Sequence, residues 1–300
     1  MHLRKARKDE RGENGREQMH VSRVASLAVV LAAALAVAAG PAPSQTQLDI
    51  TFHSAALKST MHALVVLPAG YATSNRRYPV VYFLHGLPAT AISYSGLRWV
   101  AGALAATGKP AILVAPQGAR DHDTDAEYLD WGEGRNWERY VSSELVHVVD
   151  VRFRTIAERR GRAIIGESAG GYGAAAIGFN HLAKFAAIES WSGYFVPTDP
   201  TGLQRLDRGS QAANARASLH TLVTTSVPEI KESDPFFAFY VGDHDSRFLA
   251  QNVKLNHELD EVHIAHLFEV YAGAHTTTLW ERHAVGWLRL ALTHLAPATP

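Results

Sequence analysis

The chain contains no cysteine. Disulfides, thiolate nucleophiles, Cys-ligated zinc and iron–sulfur clusters are therefore excluded. The compartment stays open, because a cysteine-free chain is compatible with export without requiring it. There is no excess of charge of one sign: Lys+Arg and Asp+Glu both number 29, which argues against an electrostatic nucleic-acid binder. The N-terminal region also lacks a run that spans a bilayer comfortably. Val24–Ala39 is apolar over about 16 residues, roughly 24 Å as a helix against a hydrocarbon core of ~30 Å. Arg23 precedes it, Ala36-Val37-Ala38 offers an A-x-A cleavage site, and Gly40-Pro41-Ala42-Pro43-Ser44 follows. These are the parts of a secretory signal. Residues 1–44 are read as a signal and N-terminal extension, with Met19 as a candidate start, and 45–300 as one catalytic domain that acts outside the cytoplasm, secreted or associated with the cell envelope. No membrane span is expected after processing.

From residue 45 onward apolar strand-like runs alternate with helical patterns. Leu48–His53, Met61–Leu67, Pro79–Leu84, Ala111–Ala115, Arg162–Ile165, Phe185–Ile188, Phe236–Val241 and His266–Tyr271 read as strands. Ser95–Ala106, Asn136–Val151, Arg247–Leu259 and Leu279–Leu290 read as helices. Alternation of this kind predicts an α/β fold, a mostly parallel sheet with helices on both faces. The first two strands have no helix between them, so the leading edge is expected to be antiparallel. Gln117–Arg135 and Ser192–Pro235 resist assignment. Long loops that start at strand carboxyl ends in such a sheet are expected to serve the ligand site.

Gly166-Glu167-Ser168-Ala169-Gly170 is a G-x-S-x-G pentapeptide, preceded by the strand and followed by small, helix-compatible residues. Strand, sharp turn and helix form the setting of a nucleophile elbow, with Ser168 exposed above the sheet. The pattern can also be a Gly/Ser turn met by chance, so partners are needed. A serine hydroxyl becomes nucleophilic when a histidine takes its proton and a carboxylate orients that histidine. On this fold the order is Ser, acid, His, each after a successive strand. Asp243 and Asp245 both follow the strand Phe236–Val241; Asp245 is preferred, and either could instead cap the next helix. His275 follows the strand His266–Tyr271 and is the candidate base among 16 histidines. His283 is its rival but falls inside a helix. Two backbone N–H groups must meet the developing oxyanion: Ala169, next to the nucleophile, and Leu87, after the turn at His85-Gly86. Asp121–Glu127 begins like a calcium loop but has Ala126 at the sixth place and Gly132 at the twelfth, so it reads as a solvated acidic loop. His263 and His266 lack a third ligand for zinc. No metal or cofactor is expected.

Between residues 48 and 295 the chain resembles the esterase family of α/β-hydrolases that includes S-formylglutathione hydrolases, feruloyl esterases and secreted mycolyltransferases. The matching stretches are Tyr78–Gly86, Trp137–Leu145, Gly166–Gly171, Ser192–Phe195, Gly242–Asp245, and Gly273–His275 followed by Trp280. The resemblance implies an α/β-hydrolase fold and a G-x-x-D acid, which selects Asp245. It also implies that Leu87 is the second oxyanion donor. The chain departs from the hydrolases of S-formylglutathione in its export signal, and from the mycolyltransferases in Glu167 and its acid loop. The expected activity is cleavage of carboxylic esters, small or from the cell envelope, through an acyl-enzyme. Alternatives are acyl transfer in the envelope, or a silent envelope-binding protein on the same fold.

Overall fold

The computed structural model describes residues 44–121, 123, 128–199 and 204–300. The export-signal reading of Val24–Ala39 lies outside these residues, as does most of the acidic stretch 121–127. The described chain builds eight strands: Thr46–Ser54 (β1), Ser59–Leu67 (β2), Val80–Leu84 (β3), Ile112–Pro116 (β4), Arg162–Glu167 (β5), Ala187–Trp191 (β6), Phe236–Gly242 (β7) and Leu267–Tyr271 (β8). They form one sheet in the order β1-β2-β4-β3-β5-β6-β7-β8. β1 pairs antiparallel with β2, and β2 with β4; every other pairing is parallel. This is the α/β architecture expected from the sequence, with the antiparallel leading edge.

The central strands show why. Every residue of β3 and β4 is buried, as a parallel strand covered on both faces must be. Successive side chains point to opposite faces, so Val80, Tyr82 and Leu84 enter one core while Val81 and Phe83 enter the other. The helices are Arg98–Ala106 (α1), Trp137–Arg139 (α2), Val146–Arg152 (α3), Ala169–Asn180 (α4), Gln211–Ala217 (α5), Leu219–Thr225 (α6), Val227–Ser233 (α7), Leu249–Glu261 (α8) and Thr277–Thr293 (α9). The stripe at Asn136–Val151 does form a helix, but with a wider i→i+5 stretch at Tyr140–Leu145 between α2 and α3. The first core takes buried residues of α3, α4 and α8; the second lies under α1 and α9.

Two sequence expectations need correction. The strand placed at Phe185–Ile188 runs instead over Ala187–Trp191. Its polar residues are held inside: Glu189 accepts hydrogen bonds from Trp191 Nε1 at 3.0 Å and from the Tyr240 hydroxyl at 3.3 Å. The segment Ser192–Pro235, read as a loop, carries α5, α6 and α7. Each has seven residues, too few to show a helical period. Ser210 and Ser218 cap the first two by accepting from Ala213 and Thr221 N–H groups.

Candidate active site

The site gathers at the carboxyl ends of the parallel strands, beside the point where chain order reverses across β4, β3 and β5. β5 ends at Glu167, and α4 starts at Ala169. Ser168 between them has φ 54° and ψ −121°, a conformation that a residue with a Cβ adopts only under constraint, at roughly 1–3 kcal/mol. The constraint is packing. A Cβ on Gly170 would lie 2.0 Å from the Leu84 carbonyl oxygen, so α4 can press against β3 only with glycine there. Ser168 N–H donates to the Trp191 carbonyl at 2.8 Å, which fixes the elbow to the neighbouring strand.

His275 Nε2 stands 2.9 Å from Ser168 Oγ. Its Nδ1 stands 2.7 Å from Asp245 Oδ2. Asp245 is buried, and its other oxygen accepts the Phe248 N–H at 3.2 Å. One oxygen thus holds the turn ahead of α8, whose own N-cap is Phe248 and takes no side-chain bond, and the other meets the imidazole. Phe248 and Trp280 flank the ring, with centroids at 5.2 and 5.3 Å. Trp280 is itself fixed by donating Nε1–H to Ser192 Oγ at 3.0 Å. The rival residues fall elsewhere. Asp243 is half-exposed and accepts the Gly273 N–H at 2.8 Å, bracing the turn that carries His275. This bond holds its carboxyl below the ordinary range. His283 lies in α9 against Tyr271 and Trp287.

The two residues whose amides are expected to face an oxyanion both lie beside the elbow. Ala169 is the first residue of α4, so its N–H lies outside the helix's own ladder. Leu87 follows Gly86, whose backbone is packed so closely on the elbow that a Cβ would lie 2.8 Å from Ser168 Cβ. Ala169 belongs to an apolar cluster with Leu129, Tyr172, Tyr194 and Phe248, against which Leu87 and Trp131 also pack. Tyr194 stacks on Tyr172 at 5.0 Å and meets Phe248 at a tilt at 4.9 Å. Leu129 and Trp131 come from one unassigned segment and Tyr194 from the other. Arg208 closes the two together, its guanidinium carbon 3.8 Å from the Trp131 ring centroid.

Glu167, next to Ser168, is pushed up to about 7, chiefly by burial, against the Gly86 N–H that favours its ionised form. Sequence reasoning assigned no role to Glu167, His85, Tyr128 or Phe248; Glu167 adjoins Ser168 in the chain, whereas the fold sets Phe248 against His275 and His85, with Tyr128 behind it, against Gly86. Among the described residues no group of three His, Asp or Glu is placed to hold a metal. Both ring nitrogens of His266 are engaged within the protein, by the Ile264 carbonyl and Asn256.

Known proteins share this arrangement of strands and helices. A ferulic acid esterase superposes with a TM-score of 0.69 at 22% identity, covering 84% of this chain and 99% of that one. An S-formylglutathione hydrolase from Agrobacterium tumefaciens gives 0.68 at 22% identity, covering 86% and 98%. Esterase Rv1288 of Mycobacterium tuberculosis H37Rv is 35% identical over 133 residues. That stretch is 43% of this chain and only 28% of that protein, so the relative is much longer than the part it shares. The family model described as "Putative esterase" matches residues 54–286. That span begins at the end of β1 and takes in Leu87, Ser168, Asp245 and His275, and by this match the chain belongs to the esterase family of α/β-hydrolases.

Proposed function

We propose that the chain is an exported serine esterase that cleaves carboxylic esters through an acyl-enzyme. The observation that carries this reading is the unbroken relay from Ser168 Oγ through His275 to Asp245, at 2.9 and 2.7 Å. In the proposed cycle Ser168 Oγ attacks the ester carbonyl as His275 Nε2 accepts the hydroxyl proton. Asp245 holds the Nδ1–H and stabilises the imidazolium that forms. The carbonyl oxygen gains its charge between the Ala169 and Leu87 N–H groups, which need no reorganisation at that moment. Collapse breaks the C–O bond, and the leaving alcohol takes the proton from His275. Water, deprotonated by the same imidazole, then releases the acid. Leu87 and Trp131, half-buried on the apolar cluster that includes Ala169, support an ester with an apolar acyl or alcohol part.

The test is turnover of 4-nitrophenyl acetate together with labelling by a fluorophosphonate probe. Both should occur on wild type and disappear in Ser168→Ala. Turnover within tenfold of wild type by a folded Ser168→Ala variant overturns the assignment. Export rests on Val24–Ala39. Residues 45–300 expressed alone should be soluble and active; activity found only in membrane-bound full-length protein would make that segment an anchor.

A further inference from the structure

The His85 imidazole occupies the space beneath the Leu87 turn and is 3% exposed. Its Nε2 lies 3.1 Å from the Gly118 N–H. A backbone N–H can only donate, so Nε2 carries the lone pair and the ring proton sits on Nδ1. Nδ1–H then donates to the Gly86 carbonyl oxygen, with Nδ1 3.0 Å from it. The Gly86 carbonyl and the Leu87 N–H belong to one planar peptide and point in opposite directions. Holding the oxygen therefore aims the hydrogen. We propose that His85 is a positioning residue that aims the Leu87 N–H at the developing oxyanion by gripping the opposite end of the same peptide unit. The inference rests on the esterase reading above.

The surroundings fix His85 as tightly as His85 fixes the peptide. The Tyr128 hydroxyl donates to the His85 carbonyl at 3.0 Å. The two rings meet edge-to-face with centroids 5.9 Å apart. Gly118 leaves room for the ring, because a Cβ there would lie 2.7 Å from His85 Nε2 and 2.4 Å from the Tyr128 hydroxyl oxygen. Burial also pushes the His85 pKa down. This keeps the ring neutral, as the grip requires: a second ring proton on Nε2 would face the Gly118 N–H. Tyr128 and Gly118 belong to the segment Gln117–Arg135, so that segment reaches the reacting atoms through His85.

Two substitutions separate the two halves of the imidazole. Gln can offer an acceptor where Nε2 was but no donor where Nδ1 was; Asn offers a donor near Nδ1 and none of the reach to Gly118. His85→Gln should lower kcat by about 10²-fold, as loss of one oxyanion donor does, with KM within twofold. His85→Asn should keep kcat within about tenfold of wild type. Affinity for a trifluoromethyl ketone, which forms an oxyanion on the serine, should follow kcat. Equal losses in both variants, or wild-type kcat in His85→Gln, would overturn the proposal. A measurement on unaltered protein decides it if neither variant folds: the ¹⁵N spectrum should show His85 as the neutral Nδ1–H tautomer, and an Nε2–H tautomer would rule the grip out. Failure of the esterase reading looks different, since wild type would then neither turn over ester nor take the fluorophosphonate.

Discussion

The proposed nucleophile and its proposed base are held by opposite means. Ser168 rises from β5 at the centre of the sheet, where five of six residues are buried, and its backbone is set by packing of α4 on β3. His275 follows β8, the edge strand, none of whose residues is fully buried. There hydrogen bonds replace packing: Asp243 N–H to the Tyr271 carbonyl, His244 N–H to the Gly273 carbonyl, and Gly273 N–H to the Asp243 carboxylate, all at 2.8 Å. Changes to the packing of α4 on β3 should therefore register as stability, and changes to the imidazole and the carboxylate that holds it as rate.

The largest expected effect is Ser168→Ala. It should lower kcat by roughly 10⁴-fold or more while leaving the unfolding transition in place, as read by ester turnover and thermal melting. Asp245→Asn should cost roughly 10⁴-fold in kcat, because the amide favours the wrong imidazole tautomer. Asp243→Asn should cost less than tenfold in the same assay, and the reverse order would exchange their roles. On the central side, Gly170→Ala forces a Cβ into the Leu84 carbonyl and should destabilise by about 1–3 kcal/mol or more, seen as a lower urea midpoint. A loss of activity from it with no change in midpoint would break the comparison.

A further effect, seen only as a dependence on pH, belongs to Glu189. Burial pushes its carboxyl up to about 8 against the Trp191 and Tyr240 hydrogen bonds. A folded-state acid that holds its proton longer than the unfolded chain stabilises most at low pH. That contribution declines as pH rises from the ordinary carboxylate range through about 8. Glu189→Gln keeps an acceptor for Trp191 and should flatten the decline. Melting temperatures of the two proteins should diverge toward alkaline pH, and parallel curves would show that Glu189 ionises without penalty.

The sequence made the central half of the molecule plain because burial on both faces leaves uninterrupted apolar runs, as in Val80–Leu84. It also carried the order of Ser168, Asp245 and His275, since each follows its own strand. β6 was misplaced because Glu189 and Ser190 look like surface residues and are buried. The helices within Ser192–Pro235 were invisible because seven residues hold less than two turns of helix. His85 was read only as part of a turn. Its use depends on Gly118 and Tyr128, more than thirty residues away, and no local pattern announces a contact of that range.

The backbone of Ser168 has one more consequence. With φ at 54°, the position is one where glycine would sit without strain. Ser168→Gly should therefore melt higher than wild type while hydrolysing nothing. Selection for thermal robustness alone would thus drift away from the serine, and, with Ser168 as the proposed nucleophile, selection for turnover would hold the chain below the stability its scaffold could reach.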